Sequence, residues 1–290
     1  MKPRRTPWFS YLLVVAGAVI MVVPFLDMVM TSFKGPGEAG RLPYRFLPEK
    51  FHLDNYLAAL EQLNMGLLFR NSVIMTAVAV ASVLLTSSMA GYALAKLRFP
   101  GRPIVFRFVL ATMMFPPFLF LIPDFLILTN WPLAGGNDLL GRGGDGGLTT
   151  SVAALFIPFL VSGFGIFLMR QFIVSIPDEV IEAARIDGAG EFTIWRHIIL
   201  PQTTPVLITL GLLTFVGTWN EYVWSLLIST VNPDLMTLPV GIQLLQSYLD
   251  PNQTLPIVMA GLVISIVPVL TIFLLLQKYY IRGVMISGLK

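Results

Sequence analysis

No cysteine occurs among the 290 residues, which excludes disulfides, thiolate nucleophiles and cysteine-ligated metal sites. Charge is nearly as scarce: Asp, Glu, Lys and Arg make up 12% of the chain. A water-facing globular domain carries roughly 25%. That deficit leaves too little charge to coat a soluble globule, so membrane lipid is the expected solvent for much of the surface. Histidine is limited to His52 and His197, far apart in sequence, and no H-E-x-x-H is present, so neither a metal site nor hydrolytic chemistry has a visible home. There is no G-x-x-x-x-G-K-[ST] either, so the chain does not itself cradle ATP phosphates. The surplus of 19 Lys and Arg over 16 Asp and Glu is small and scattered between apolar blocks. Nucleic-acid binding needs a basic stripe, and none is formed.

What the chain has in plenty is apolar length. It is 56% hydrophobic, with a mean hydropathy of +0.78. A membrane-crossing helix needs about 20 mainly apolar residues, because the hydrocarbon layer is about 30 Å thick and a helix rises about 1.5 Å per residue. Six stretches have that length: about 8–32, 71–95, 104–129, 151–172, 203–230 and 255–278. Backbone groups in lipid must be paired within the segment, so the expected fold class is all-α, a polytopic membrane protein of about six transmembrane helices. Pro24, Pro116, Pro117, Pro158 and Pro268 fall inside these stretches and are expected to kink them. The first apolar run continues to about Met30 with no small-residue cleavage site, so it reads as a retained span rather than a signal peptide.

Orientation follows from Lys and Arg. With the N-terminus inside, the cytoplasmic segments hold Lys2, Arg4, Arg5, Lys96, Arg98, Arg102, Arg107, Arg170, Arg185, Arg196, Lys278, Arg282 and Lys290. The other side holds Lys34, Arg41, Arg45, Lys50, Arg70 and Arg142. Both termini are therefore expected in the cytoplasm. Asp27 and Asp124, near outer span ends, are expected to reach water. The outer segment 33–70 contains an amphipathic stretch, Asn55 to Leu68, expected as a short surface helix. The outer loop Gly135 to Gly147 reads as flexible; it loosely resembles one calcium-binding turn but lacks the stacked repeats such turns need. In the second span Ser82, Thr86 and Ala90, and Ser87, Gly91 and Ala95, show small-xxx-small spacing, expected to pack helices of this chain closely together.

An ionisable residue inside a span is a functional candidate. At 100° per residue, Thr214, Thr218, Glu221 and Ser225 fall on one polar stripe of the fifth span, beside an aromatic stripe of Phe215, Trp219 and Tyr222. Hydroxyls and a carboxylate beside aromatic faces suit a sugar. The alternative is a Glu221 bonded to neighbouring helices for packing alone.

The inner loop 175–201 reads SIPDEVIEAARIDGAGEFTIWRHIILP. Ser175 is expected to cap a helix whose first turn holds Pro177, Asp178 and Glu179. That helix runs to Ile186, Asp187-Gly188 makes a turn, and a second short helix covers about Glu191 to Leu200. Ala183 and Ala184 leave a low surface that another protein can approach, with Glu182 as its one carboxylate. A plain solvated loop is the alternative reading of the same residues.

This loop resembles the EAA loop of ABC importer permeases. The matching residues are Glu182-Ala183-Ala184, Gly188 and Ile198-Ile199-Leu200-Pro201, joined by Phe167 to Phe172, Trp219 to Tyr222, Arg282-Gly283-Val284, Ser32-Phe33-Lys34 and Leu97 to Gly101. The likeness extends over essentially the whole chain and is to the carbohydrate-uptake, maltose-type branch. It implies the transmembrane domain of a type I importer: residues 1–70 as an N-terminal span with an external loop, and 71–290 as a five-helix permease core with the coupling loop at 175–201. It implies partners as well: a second permease subunit in a heterodimer, two ATPase subunits holding ATP and Mg, and an external solute-binding protein that the Gly135–Gly147 loop would contact. Glu182, Ala183, Ala184, Asp187 and Gly188 would dock in the ATPase. Thr218, Trp219, Glu221 and Tyr222 are the expected substrate-pathway residues. The chain would be a transport subunit of a prokaryotic inner membrane, not an enzyme, with no cofactor of its own. An ion-coupled secondary transporter working without an ATPase is the alternative, but paired inverted repeats and midplane ionisable sites are not evident.

Overall fold

The computed structural model describes residues 8–62, 64–248 and 251–287. Lys2, Arg4, Arg5 and Lys290 lie outside them, as do the side chains of Lys278 and Arg282. Among the described residues all regular structure is helical. The first helices are α1 (Trp8–Ser32), α2 (Asp54–Gln62) and α3 (Met65–Lys96). Next come α4 (Arg102–Thr112), α5 (Leu121–Thr129), α6 (Ala153–Phe156) and α7 (Gly163–Val174). The segment 175–201 contributes α8 (Asp178–Ile186), α9 (Glu191–Ile194) and most of α10 (Leu200–Gln202). The chain continues through α11 (Thr204–Trp219), α12 (Val223–Val231), α13 (Leu238–Tyr248) and α14 (Pro251–Ser287).

Among the described residues three helices are long and apolar enough to cross a membrane unaided: α1, α3 and the Thr254–Gln277 part of α14. Three further helix pairs have the length and apolar character of a span only when taken together, and each is bent. Arg102–Thr112 meets Pro117–Thr129 at 95°, Ala153–Phe159 meets α7 at 44°, and Glu191–Gln202 meets α11 at 80°. The total reaches six if each pair is one span.

The stretches 104–129, 151–172 and 203–230 are therefore not single helices. Pro116 and Pro117 break the first, since proline removes a helix donor and disfavours helical angles in the residue before it. The second breaks just after Pro158, at 160–162. The third breaks at Asn220 to Tyr222 with no proline to mark it. Pro24 and Pro268, by contrast, sit within helices that continue on both sides.

Packing divides the chain into two units: one of the residues up to Gly66 with Val240–Pro268, the other of Leu67–Pro239 with the residues from Val269 onward. In the first unit the surface helix is shorter than expected. It ends at Gln62, and Met65 to Leu68 already belong to α3, after a turn at Asn64 with φ +46°. The Asn55 amide donates to Ser32 O (2.8 Å) and Lys34 O (2.9 Å), satisfying carbonyls at and just beyond the C-terminus of α1. Asp27 does not simply face water, because the Tyr44 hydroxyl donates to it. Lys34 is buried, with its ammonium 4.3 Å from the centre of the Tyr44 ring.

In the larger unit α3 and α7 approach closely. A Cβ on Gly91 would lie 2.7 Å from Met169 Cβ, and one on Gly165 2.4 Å from Ser87 Oγ. The small-residue face of α3 therefore packs inside the chain. The Ser82 hydroxyl donates to Leu160 O at 2.7 Å. The last carbonyls of α3 are closed by a guanidinium: Arg102 donates to Leu94 O, Ala95 O and Leu97 O at 2.7–3.1 Å.

The Gly135–Gly147 loop is not the slack segment its composition suggests. The Asn137 amide donates to Thr129 O and Trp131 O (both 3.0 Å), and its oxygen accepts from Gly144 N. Asp138 accepts from Leu140 N and Arg142 N. Cβ atoms on Gly135, Gly141 and Gly147 would come within 2.6, 2.0 and 2.3 Å of backbone atoms. Glycine here permits close approach of chain to chain.

Candidate functional site: the foot and the cavity

The two short helices of the segment 175–201 form a compact foot. Ser175 has helical angles (φ −76°, ψ −10°) and its hydroxyl bonds back to Phe172 O, so it closes α7 rather than capping α8. An N-cap needs extended backbone, and Pro177 supplies it (φ −58°, ψ 137°). Asp178 and Glu179 then occupy the first turn of α8. The helix ends in a paired closure: Ala189 N bonds Ala184 O (2.9 Å) and Gly188 N bonds Arg185 O (3.0 Å). Gly188 takes φ +81° with open space around it, so glycine is needed there for backbone angle alone. The second helix runs from Glu191 through a π-helical turn at Trp195–Ile199 to Gln202, two residues further than expected.

The underside of the foot is apolar. Ile176, Ile181, Ile194, Trp195 and Ile199 are buried with Tyr92 and Ala95 of α3 and Met169 and Ile173 of α7. Burying a side chain of this size contributes about 1.5–3 kcal/mol. An exposed ion pair such as Arg185–Glu191 (2.9 Å) contributes about 0.2–1 kcal/mol. The apolar contacts therefore hold the foot, and the polar ones set its angle. Glu191 also accepts from the Tyr92 hydroxyl (2.5 Å), and Arg185 holds its carboxyl below the usual carboxylate range. Lys96 does the same for Asp178 across a 2.5 Å contact.

The outer side of the foot presents the sequence-predicted residues together. Glu182, Ala183, Asp187 and Gly188 are exposed and Ala184 is half-buried. Ile186 (86% exposed) and Phe192 (61%) stand beside them as uncovered apolar side chains.

The expected pathway residues are divided by the helix break. Thr214, Thr218 and Glu221 line a cavity of about 670 Å³ whose other walls include Phe118, Leu121 and Asp124. Ser225 lies beyond the break and is buried against Met75, its hydroxyl 3.7 Å from the sulfur. The helical phase of Thr218 is not carried across Asn220 to Tyr222, which is why the four-residue stripe does not persist. Glu221 accepts from Trp224 N (2.8 Å) through one carboxylate oxygen, starting α12, while the other oxygen is buried with no hydrogen-bond partner among the described residues. Trp219 is buried, stacked on Phe215 at 5.6 Å and edge-on to Phe69 at 5.8 Å, and is not in the cavity wall. Tyr222 is half-exposed and also outside that wall. Sequence reasoning took Asp124 to face water. Its signal as a cavity residue was an acid in an apolar span immediately after Pro123.

Residues 82–286 match the family of the binding-protein-dependent transport system inner membrane component. The arabinooligosaccharides transport system permease protein of Halalkalibacterium halodurans is 32% identical, with all of both chains covered. The diacetylchitobiose uptake system permease protein of Streptomyces coelicolor is also 32% identical, over 95% of this chain and 86% of its own. The sn-glycerol-3-phosphate transport system permease protein of Rhizobium meliloti is 28% identical over 94% of each. A solved bacterial ABC transporter involved in import of the acidic polysaccharide alginate has the same fold, with a TM-score of 0.74, 23% identity and 97% of this chain covered. The chain belongs to the binding-protein-dependent transport system inner membrane component family, and it is a multi-pass inner-membrane permease subunit.

Proposed function

We propose that the chain is one half of a permease heterodimer in an ATP-binding-cassette importer for a carbohydrate. ATP and Mg are held by two separate ATPase subunits, and an external solute-binding protein delivers the sugar. Both termini lie in the cytoplasm of a prokaryotic cell, and the apolar residues exposed along α1, from Trp8 to Leu26, meet lipid. The oligosaccharide permeases among its relatives support the carbohydrate assignment.

The foot carries this reading. Its inner face is locked to α3 and α7, whereas Glu182 and Ala183 stand free on the other. The low alanine relief admits a cleft of the ATPase, Glu182 meets a basic residue there, and Ile186 and Phe192 supply apolar anchors. Asp187 and Gly188 shape the turn. Thr214, Thr218 and Glu221, with Asp124 and Ser162, are polar groups of this chain's share of the pathway, and the break that places Glu221 follows Trp219 and includes Tyr222.

Glu182→Lys tests the docking. Charge reversal at a paired interface residue costs enough to weaken attachment by about tenfold or more. The tagged subunit should stay in the membrane while ATPase co-purification and sugar uptake both fall. Unchanged attachment and uptake would contradict the docking role.

A further inference from the structure

We infer that Tyr92 and Lys96 are positioning residues that clamp the foot to α3, so that the ATPase stroke reaches the cavity through α3 as well as through the chain's own junction with α11. This rests on the docking role proposed for the foot. Tyr92 and Lys96 are four residues apart and so share one face of α3. Each takes hold of the start of one foot helix. Lys96 Nζ lies 2.5 Å from Asp178, the first residue of α8, and 2.5 Å from Ile176 O. Its ammonium end is almost covered, with the side chain 6% exposed, so the stem is laid along apolar surface and the charge has few other partners. Tyr92 donates to Glu191, the first residue of α9, and Glu191 in turn accepts from Arg185 near the end of α8 at 2.9 and 3.3 Å. The two ties therefore fix both helices and cross-link them.

The covalent route is the softer one. Between Gln202 and Thr204 the chain turns by 80°, and Thr203 holds the corner with a side-chain bond to Ile199 O. A stroke entering α11 must pass that corner. α3 has no break between Lys96 and Val83, which lies in the cavity wall. An unbroken helix of that length carries a displacement over roughly 20 Å. The far side of α3's inner end is held as well, by Arg102 and by Arg170, which donates to Leu94 O and covers the Phe106 ring at 3.9 Å.

The test uses the complete importer in proteoliposomes, with Asp178→Asn alone and combined with Tyr92→Phe. Both changes keep side-chain size and leave the apolar underside of the foot intact. Stimulated ATP hydrolysis should persist while sugar moved per ATP falls about tenfold in the double variant, within the range that site-to-site coupling energies span, and less in the single one. Spin labels at Met89 and Thr193 report the clamp directly: their separation should be the same in nucleotide-free and trapped ATP states of the native importer, and should broaden in the double variant. A separation that changes with nucleotide in the native protein, or full coupling in both variants, overturns the clamp. Glu182→Lys separates the two levels: if it uncouples the importer and these variants do not, only the clamp fails; if it too is silent, the docking role fails.

Discussion

The turn at Gly188 and the loop from Gly135 to Gly147 both depend on glycine, for opposite reasons. At Gly188 nothing lies within 4 Å of a would-be Cβ, and only the angle of φ +81° calls for glycine. At Gly135, Gly141 and Gly147 the angle is positive too, but the place of a side chain is already filled by backbone. The turn at Gly188 is open, as the docking proposed for the foot requires. The outer loop is closed on itself by Asn137 and Asp138. A glycine count alone says nothing about mobility; what surrounds each glycine decides.

Substitution by alanine separates the two sites. Gly141→Ala sets a Cβ 2.0 Å from Asn130 O, so the loop must rearrange, at a cost of about 2–4 kcal/mol. Limited proteolysis in membrane vesicles should cut the outer loop much faster, and an unchanged cleavage rate would show that the loop is not packed as described. Gly188→Ala meets no atom and costs only the left-handed angle, about 1–2 kcal/mol. It should loosen the foot and lower ATPase retention modestly without exposing the outer loop.

The smallest effect concerns acid. Asp178 and Glu191 both have lowered pKa values in the folded foot, the first through its bond to Lys96 and the second through its bond to Arg185. Their contribution is complete above the ordinary values of 3.8 and 4.5 and is lost only as the pH falls through the lower folded values. A spin label at Thr193 should thus keep its line shape from about pH 8 to pH 5 and sharpen below about pH 4. Sharpening near neutral pH would mean that other titratable groups set the angle of the foot.

The spans and the foot were legible because their signals are local. Apolar length marks a crossing, and Pro177, Asp178 and Gly188 mark where α8 begins and ends. Ser175 misled because its hydroxyl had a carbonyl of α7 within reach and its backbone stayed helical. The order of the outer loop was hidden because Asn137 gathers groups from both sides of itself, seven or eight residues away. The cavity was half hidden. Thr218 and Glu221 were placed in phase, but the break after Trp219 carries no proline or glycine, and Asp124 reaches the same wall from another helix pair. Such meetings depend on tertiary packing, which periodicity does not encode.

The most direct test of the whole account is transport by the purified chain in liposomes, with and without its permease and ATPase partners. The account predicts no sugar movement by this chain alone, under an ion gradient or without one, and ATP-dependent uptake once the assembly is complete. Uptake by the lone subunit, with no nucleotide hydrolysed, would contradict it.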